Sequence, residues 1–313
     1  MEKIKYSFLV ANYNKGKNIE KCLKQLLVQN VTNFEIVVID DCSTDDSVEV
    51  INKIKSNSSK INLHINEVNR GIGFTRNELL KLSKGEYIIF VDSDDYVVPN
   101  MLDYIEKKNN KNFDLIRYQN VVEPATENQT LIEKDKDKYR FCCSEKGIIN
   151  PNEIIIEWCT NPYCANALLW SYCIKKSLFE KNNIKFPNLT FHEDFAVVPL
   201  LLSHSNEILV IEDVLYHYLQ YDKSITKLKN QKMNFNEKKR FYSNKYSQYK
   251  LATMNIINGL NSSFLKDDVK SEMKTNLLMR LEKRYEKYTN ILREEFGGKY
   301  EESCLFERWK IHI

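Results

Sequence analysis

Residues 86–95 read Glu-Tyr-Ile-Ile-Phe-Val-Asp-Ser-Asp-Asp, a short apolar run that ends abruptly in carboxylates. Residues 34–43, Phe-Glu-Ile-Val-Val-Ile-Asp-Asp-Cys-Ser, repeat the design. Runs this short, rich in β-branched and aromatic side chains, read as strands buried on both faces of a sheet. In open parallel sheets, ligands bind beyond the carboxyl ends of the strands, which is where both runs place their acids. Asp92 and Asp94 are two apart, so in extended geometry they share a face. Hard oxygen donors so placed suit Mg²⁺ or Mn²⁺ held together with a substrate diphosphate, where the metal offsets charge developing on a phosphate leaving group. Asp and Ser are also ordinary turn residues. The position of both acid groups directly after buried strands is what favours a site over a polar turn.

Working outward, strands and helices alternate. Tyr6–Ala11 reads as a strand. Asn18–Gln29 carries Ile19, Cys22, Leu23, Leu26 and Leu27 at helical spacing. Phe34–Ile39 is a strand, and residues 43–46 offer capping chemistry for a helix through Val48, Val50, Ile51 and Ile54. Ile61–Ile65 (strand), Gly71–Ser83 (helix) and Glu86–Val91 (strand) follow. This alternation predicts an α/β fold, a mostly parallel sheet covered by helices on both faces. Residues 123–147 are polar and aperiodic and read as a loop or lid. Trp170–Ile174 reads as a strand, Ser177–Asn182 as a short helix and Ile208–Tyr218 as a strand or strand pair. From residue 235 the pattern is helical, with Leu265, Val269, Met273, Leu277, Leu281, Tyr285, Tyr288, Leu292 and Phe296 forming a stripe. There is no internal repeat.

Composition narrows the function classes. Across 313 residues, 42% hydrophobic and 28% charged content excludes a disordered chain. The mean hydropathy of −0.49 and the lack of any run of about 20 apolar residues argue against a spanning helix. The first residues lack the features of a secretory signal, so a cytoplasmic location is expected. Eight cysteines without a CxxC pair read as free, small apolar side chains. Net charge is +3, but residues 227–313 hold 19 Lys/Arg against 11 Asp/Glu, a basic segment on an acidic body. No motif accompanies it that would point to nucleic acid. Packing on the domain, a homodimer contact or peripheral docking on an anionic membrane surface are its three readings.

Seven segments together resemble one family, the family 2 inverting glycosyltransferases of GT-A fold found in bacterial surface-glycan synthesis. They are YSFLVANYN (6–14), FEIVVIDDCSTDDS (34–47), NRGIGFTRN (69–77), KGEYIIFVDSDDYVVP (84–99), KKSLFEKNNIKF (175–186), FHEDFAVVPLL (191–201) and VLYHYLQYDKSIT (214–226). The resemblance covers residues 4–226. It implies a nucleotide-sugar-binding half at 1–120, an acceptor-binding half at 121–226 and a mostly helical extension at 227–313. It also implies a UDP-sugar donor, a glycan or lipid-linked glycan acceptor and a bound Mg²⁺ or Mn²⁺. By the same resemblance, Ala11 and Tyr13 would line the base and Asp41 would bond the uracil. Asn69 and Arg76 would sit beside the nucleotide or diphosphate, and Asp92 with Ser93 would face the ribose or donor sugar. Asp94, with Asp92, would hold the metal. Asp194 would be the general base, with Glu193 beside it.

Two positions depart from the family pattern. Ala11 stands where the family has Pro, and Leu219 where it often has Arg, with Lys223 a substitute on the next loop. Pro199, inside the helix opened by Glu193 and Asp194, is expected to kink or shorten it. His192 and His217 are tempting metal or phosphate ligands, but lone histidines are more often packed or surface residues. The competing functions are transfer to a polyprenyl phosphate, sugar-nucleotide synthesis and a non-catalytic sugar-nucleotide-binding module. VANYNKGKN is a poor match to the glycine-rich phosphate loop that sugar-nucleotide synthesis usually needs.

Overall fold

The computed structural model describes residues 3–125, 146–160, 167–221 and 234–296. Cys142, Cys143, Cys164, Cys304, Lys223 and all but the ends of the 123–147 stretch lie outside them.

The first strands form as expected. β1 (Tyr6–Asn12) lies between β2 (Phe34–Asp40) and β4 (Tyr87–Asp92), with β3 (Ile61–Ile65) beyond β2, all parallel. Beside β4 runs the antiparallel β8 (Tyr172–Lys175), then β6 (Leu115–Pro124), β9 (Ile208–Gln220) and the two-residue β5 (Tyr96–Val97). β7 (Gly147–Ile149) pairs with the start of β9. The result is one mixed sheet.

Successive side chains of the central strands enter opposite cores. Phe8, Val10, Ile36, Val38, Ile89 and Val91 pack under α1 (Gly16–Leu27), α2 (Ser47–Lys55) and α4 (Met101–Lys108). Leu9, Val37, Ile39, Ile88 and Phe90 face the other layer. That layer holds α3 (Ile72–Leu82), α5 (Pro151–Thr160), α6 (Lys176–Lys181), α7 (Glu193–Ser203), α8 (Phe235–Gly259) and α9 (Asp267–Phe296). Burial on both faces explains why these strands read as continuous apolar runs.

Three local expectations gain detail. Within residues 43–46 the capping side chain is Asp45, which accepts from Ser47 N at the first residue of α2 at 3.0 Å and from Gly16 N at 3.0 Å, tying α2 to the start of α1. Trp170 lies in a 3₁₀ turn, Leu169–Ser171, that precedes β8. Pro199 sits inside α7, which continues to Ser203. The buried side chains flanking it, Val197, Val198, Leu200 and Leu201, supply packing that offsets the hydrogen bond a proline cannot make. The sequence pattern also misses β5, α4, β6, β7 and α5.

The C-terminal stripe is buried as its spacing predicts, from Leu265 and Val269 through Met273, Leu277, Leu281, Tyr288 and Leu292. Asn234 opens α8 with a reciprocal capping box to Glu237. Among the described residues, Cys22, Cys42, Cys159 and Cys173 are free thiols, and no helix is long and apolar enough to cross a membrane.

Gly73 on α3 is held against the chain that leads into α7: a Cβ there would lie 2.2 Å from the Pro187 carbonyl oxygen. Gly73→Ala should cost about 1–3 kcal/mol by overpacking against backbone. A urea midpoint equal to wild type would show that the 187–189 backbone yields freely.

Candidate active site

Register puts the ends of three strands on one line. Asn12 is level with Asp40, and Ala11 is level with Asp92. Asp40 is fully buried and closes its own turn, accepting from Asn12 Nδ2 at 2.7 Å, Ser43 N at 2.8 Å and Ser43 Oγ at 2.6 Å. Asp41, also buried, accepts from Asn66 Nδ2 at 2.7 Å and from the backbone N–H groups of Arg70 and Gly71 at 2.9 and 2.8 Å. It thereby fixes the loop that carries Asn69 and leads into α3. Gly71 has φ +83°, a conformation that favours glycine. Tyr13 and Asn69 stand exposed beside this loop system.

The centre of the site is Arg76, one turn into α3 and buried. Its guanidinium bonds Glu193 at 2.7 Å, Asp194, and Asp92 at 3.3 Å. Two of these acids open α7 and the third ends β4, so one cation joins the sheet edge to the helix that faces it. The aromatic rings of Phe90 and Phe186 lie 5.9 and 5.7 Å from the guanidinium carbon, an apolar wall that withholds water. Burial raises the Asp194 carboxyl and Glu193 raises it further, while Arg76 opposes them; the balance pushes it up to about 7. Asp92 is raised for the same leading reason, burial, against the pull of Arg76. Its side chain keeps an open side, 39% exposed, so solvent screens it more than Asp194.

Ser93 is buried at the turn after β4. Asp95 is also buried, and its carboxylate accepts from Tyr216 Oη and Leu219 N, each at 2.8 Å. Tyr216 Oη in turn accepts from Asp92 N at 3.2 Å. Strand β9 therefore holds the acidic turn in shape and leaves Asp94 to point outward. Asp94 pairs with Lys15 from the β1–α1 loop, whose ammonium also lies 5.7 Å from the Tyr221 ring centre. Sequence reasoning missed Lys15; a lysine three residues past the carboxyl end of β1 is a weak signal until the acidic turn after β4 is set beside it.

Among the described residues no three His, Cys, Asp or Glu side chains converge on one metal position. Asp94, partly exposed and beside Asp92, fits the Mg²⁺ or Mn²⁺ pattern in which one or two carboxylates hold the ion and substrate phosphates and water complete the shell. The histidines are structural. His217 donates to Glu123 at 3.0 Å and stacks on Tyr96 at 4.4 Å, tying β5 to β9. His192 precedes α7 with φ +68°, edge-on to Tyr249 at 5.1 Å. Burial, with Arg284 and Lys245 nearby, holds its pKa down to about 3, so it is neutral at working pH.

The model of glycosyl transferase family 2 matches residues 7–161. The glycosyltransferase GlyG of Streptococcus pneumoniae is 31% identical over 223 residues, 70% of this chain and 72% of that protein. The Staphylococcus aureus poly(ribitol-phosphate) β-N-acetylglucosaminyltransferase TarS is 40% identical over 99 residues, 30% of this chain and 17% of that longer protein. The crystal structure of S. aureus TarS 1–349 in complex with UDP-GlcNAc superimposes with a TM-score of 0.68 at 22% identity, covering 91% of this chain and 75% of that one. The fold is therefore GT-A, and the chain belongs to glycosyl transferase family 2.

Removing Arg76 would leave three carboxylates together without their cation. Arg76→Leu should destabilise the protein by about 3–5 kcal/mol at pH 8. Without Arg76 the ionised acids are disfavoured, so the loss should shrink at pH 5, where Asp194 is protonated in either protein. Urea unfolding at the two pH values measures this; an equal loss at both would mean that packing, not charge, sets the cost.

Proposed function

We propose that this family 2 glycosyltransferase moves a hexose or N-acetylhexosamine from a UDP-sugar to a hydroxyl of a glycan acceptor, with inversion at the anomeric carbon. The observation that carries the reading is the Arg76 link between Asp92 at the end of β4 and Asp194 at the start of α7. One cation bonding both carboxylates supports a donor-side role for Asp92 and an acceptor-side role for Asp194.

In this reading, residues 1–120 hold the nucleotide. Ala11 and Tyr13 line the base, and Asp41, with the Asn69 loop it fixes, meets the uracil. Asp92 and Ser93 face the ribose or donor sugar, and Arg76 lies beside the diphosphate. Asp94 and Asp92 hold Mg²⁺ or Mn²⁺, which when bound offsets charge on the departing diphosphate. Residues 121–226 hold the acceptor. The acceptor oxygen bonds to the anomeric carbon as the bond from that carbon to the β-phosphate oxygen breaks, and the electron pair leaves with UDP. Asp194 takes the hydroxyl proton, and Glu193 and Arg76 hold its carboxylate in place. A base raised to about 7 is matched to this task at neutral pH. TarS, 40% identical over 99 residues, is named an N-acetylglucosaminyltransferase, which makes UDP-GlcNAc the first donor to assay. The acceptor belongs to a bacterial surface glycan, free or lipid-linked. The reaction runs in the cytoplasm, and the basic extension gives the protein a peripheral contact with the membrane or a second copy.

Asp194→Asn should keep UDP-sugar binding and lose about 10²–10⁴-fold in transfer; transfer near the wild-type rate would assign the base elsewhere. Below about pH 7 Asp194 carries a proton and cannot accept one, so kcat/KM should fall about tenfold per pH unit on that side and level off above it. A profile flat from pH 5 to 8 would contradict the assignment. Calorimetry should find that Asp94→Ala abolishes the gain in UDP affinity that Mn²⁺ gives the wild type; an undiminished gain would place the ion on other ligands.

A further inference from the structure

We propose that Gln248 of α8 is a positioning residue for transfer: it fixes the turn that aims Asp194 at the acceptor. This rests on the reading of Asp194 as the base.

The turn needs holding from outside. Residues 190–192 approach α7 through His192, a non-glycine residue at φ +68°, and no side chain caps the helix at that position. Such a conformation persists only where the surroundings impose it. Gln248 supplies the constraint. Its Oε1 accepts from the backbone N–H groups of both Thr190 and Phe191 at 2.8 Å, the two residues before the strained one. Its Nε2 donates to Asn244 Oδ1 at 3.1 Å, so the amide presents oxygen rather than nitrogen to the turn.

The same helix grips the far side of the acids. Asn255 Nδ2 donates to the Ala196 carbonyl at 3.1 Å. The Tyr249 ring stacks on Phe195 at 4.8 Å, and the Arg284 guanidinium of α9 lies 4.0 Å from the Tyr249 ring centre. Glu193 and Asp194 thus sit between two attachments to α8, at 190–191 and at 195–196. Neither attachment touches the strand ends that carry Asp41, Asp92 and Asp94. Arg76, which links the two sides, stays held by Asp92 at 3.3 Å, so a fault in Gln248 should reach the acceptor step and largely spare donor binding.

Two substitutions at one position separate positioning from packing. Gln248→Met keeps the length and loses the acceptor; Gln248→Glu keeps an acceptor oxygen for both N–H groups. With UDP-GlcNAc as donor, Gln248→Met should lower kcat on the order of ten- to a hundredfold, since small misplacements of reacting groups cost that much. UDP affinity by calorimetry should stay within about twofold of wild type, because donor contacts are untouched. Gln248→Glu should recover most of kcat. If Gln248→Met weakens UDP binding, Asn255→Leu reads the same grip from its other end and must lower kcat with UDP affinity kept. Wild-type kcat in Gln248→Met, or equal impairment in Gln248→Glu, overturns the inference. Asp194→Asn in the same assay separates the two failures: if it transfers normally, the base assignment is wrong, whereas if it is inactive and Gln248→Met is not, only the role of Gln248 falls.

Discussion

One buried guanidinium sets the geometry of the site. Asp92, Glu193 and Asp194 come from a strand end and a helix start far apart in the chain, and like charges drawn together out of water repel. Arg76 makes the meeting tolerable by bonding all three. Its planar fork can serve several carboxylates at once, which a lysine ammonium does less well. The compensation is partial. Arg76 and Lys15 face four carboxylates when Asp94 is included. In the proposed reading an anionic diphosphate enters this acidic rim, and the charge excess there is the physical case for a divalent ion at Asp94. Burial is the leading reason that the Asp194 carboxyl is pushed up, and neighbouring Glu193 adds to it.

The acidic turn separates carboxylates committed to the fold from carboxylates that keep an open side. Asp40 and Asp95 are spent on backbone and side-chain donors that shape two loops. Asp92 and Asp94 keep an open side. A string of acids along one sheet edge is thus not a string of equivalent ligands. Partners decide how each acid is used, and a strand ending in Asp-Ser-Asp-Asp supplies both kinds within four residues.

Much of this was legible in the sequence because the information was local. FEIVVID and YIIFVD bury both faces, so their apolar runs announce strands, and parallel register then aligns their terminal acids without further instruction. The terminal stripe from Leu265 to Leu292 was readable for the same reason. What escaped depended on partners distant in the chain. β6 carries Arg117, Gln119 and Asn120 among its apolar residues, and only its neighbours β8 and β9 make it a strand. Lys15 gains meaning only when the loops after β1 and β4 are seen side by side. Gln248 looks like one more polar residue on a helix until Thr190 and Phe191 are placed against it.

The two sides of the site therefore answer to different constraints. Donor-side acids are fixed by strand register, where a slip of one residue would turn every side chain to the wrong face. The acceptor-side acids are fixed by side chains of α8 reaching across to a turn. Register is all-or-none, whereas side-chain grips can be lengthened, shifted or exchanged one at a time. In the proposed reading, a fold built this way keeps its handling of a nucleotide diphosphate constant while the helical layer re-aims the base toward a different hydroxyl. The C-terminal helices, which read from sequence as an appendage, are attached directly to the turn that carries Glu193 and Asp194.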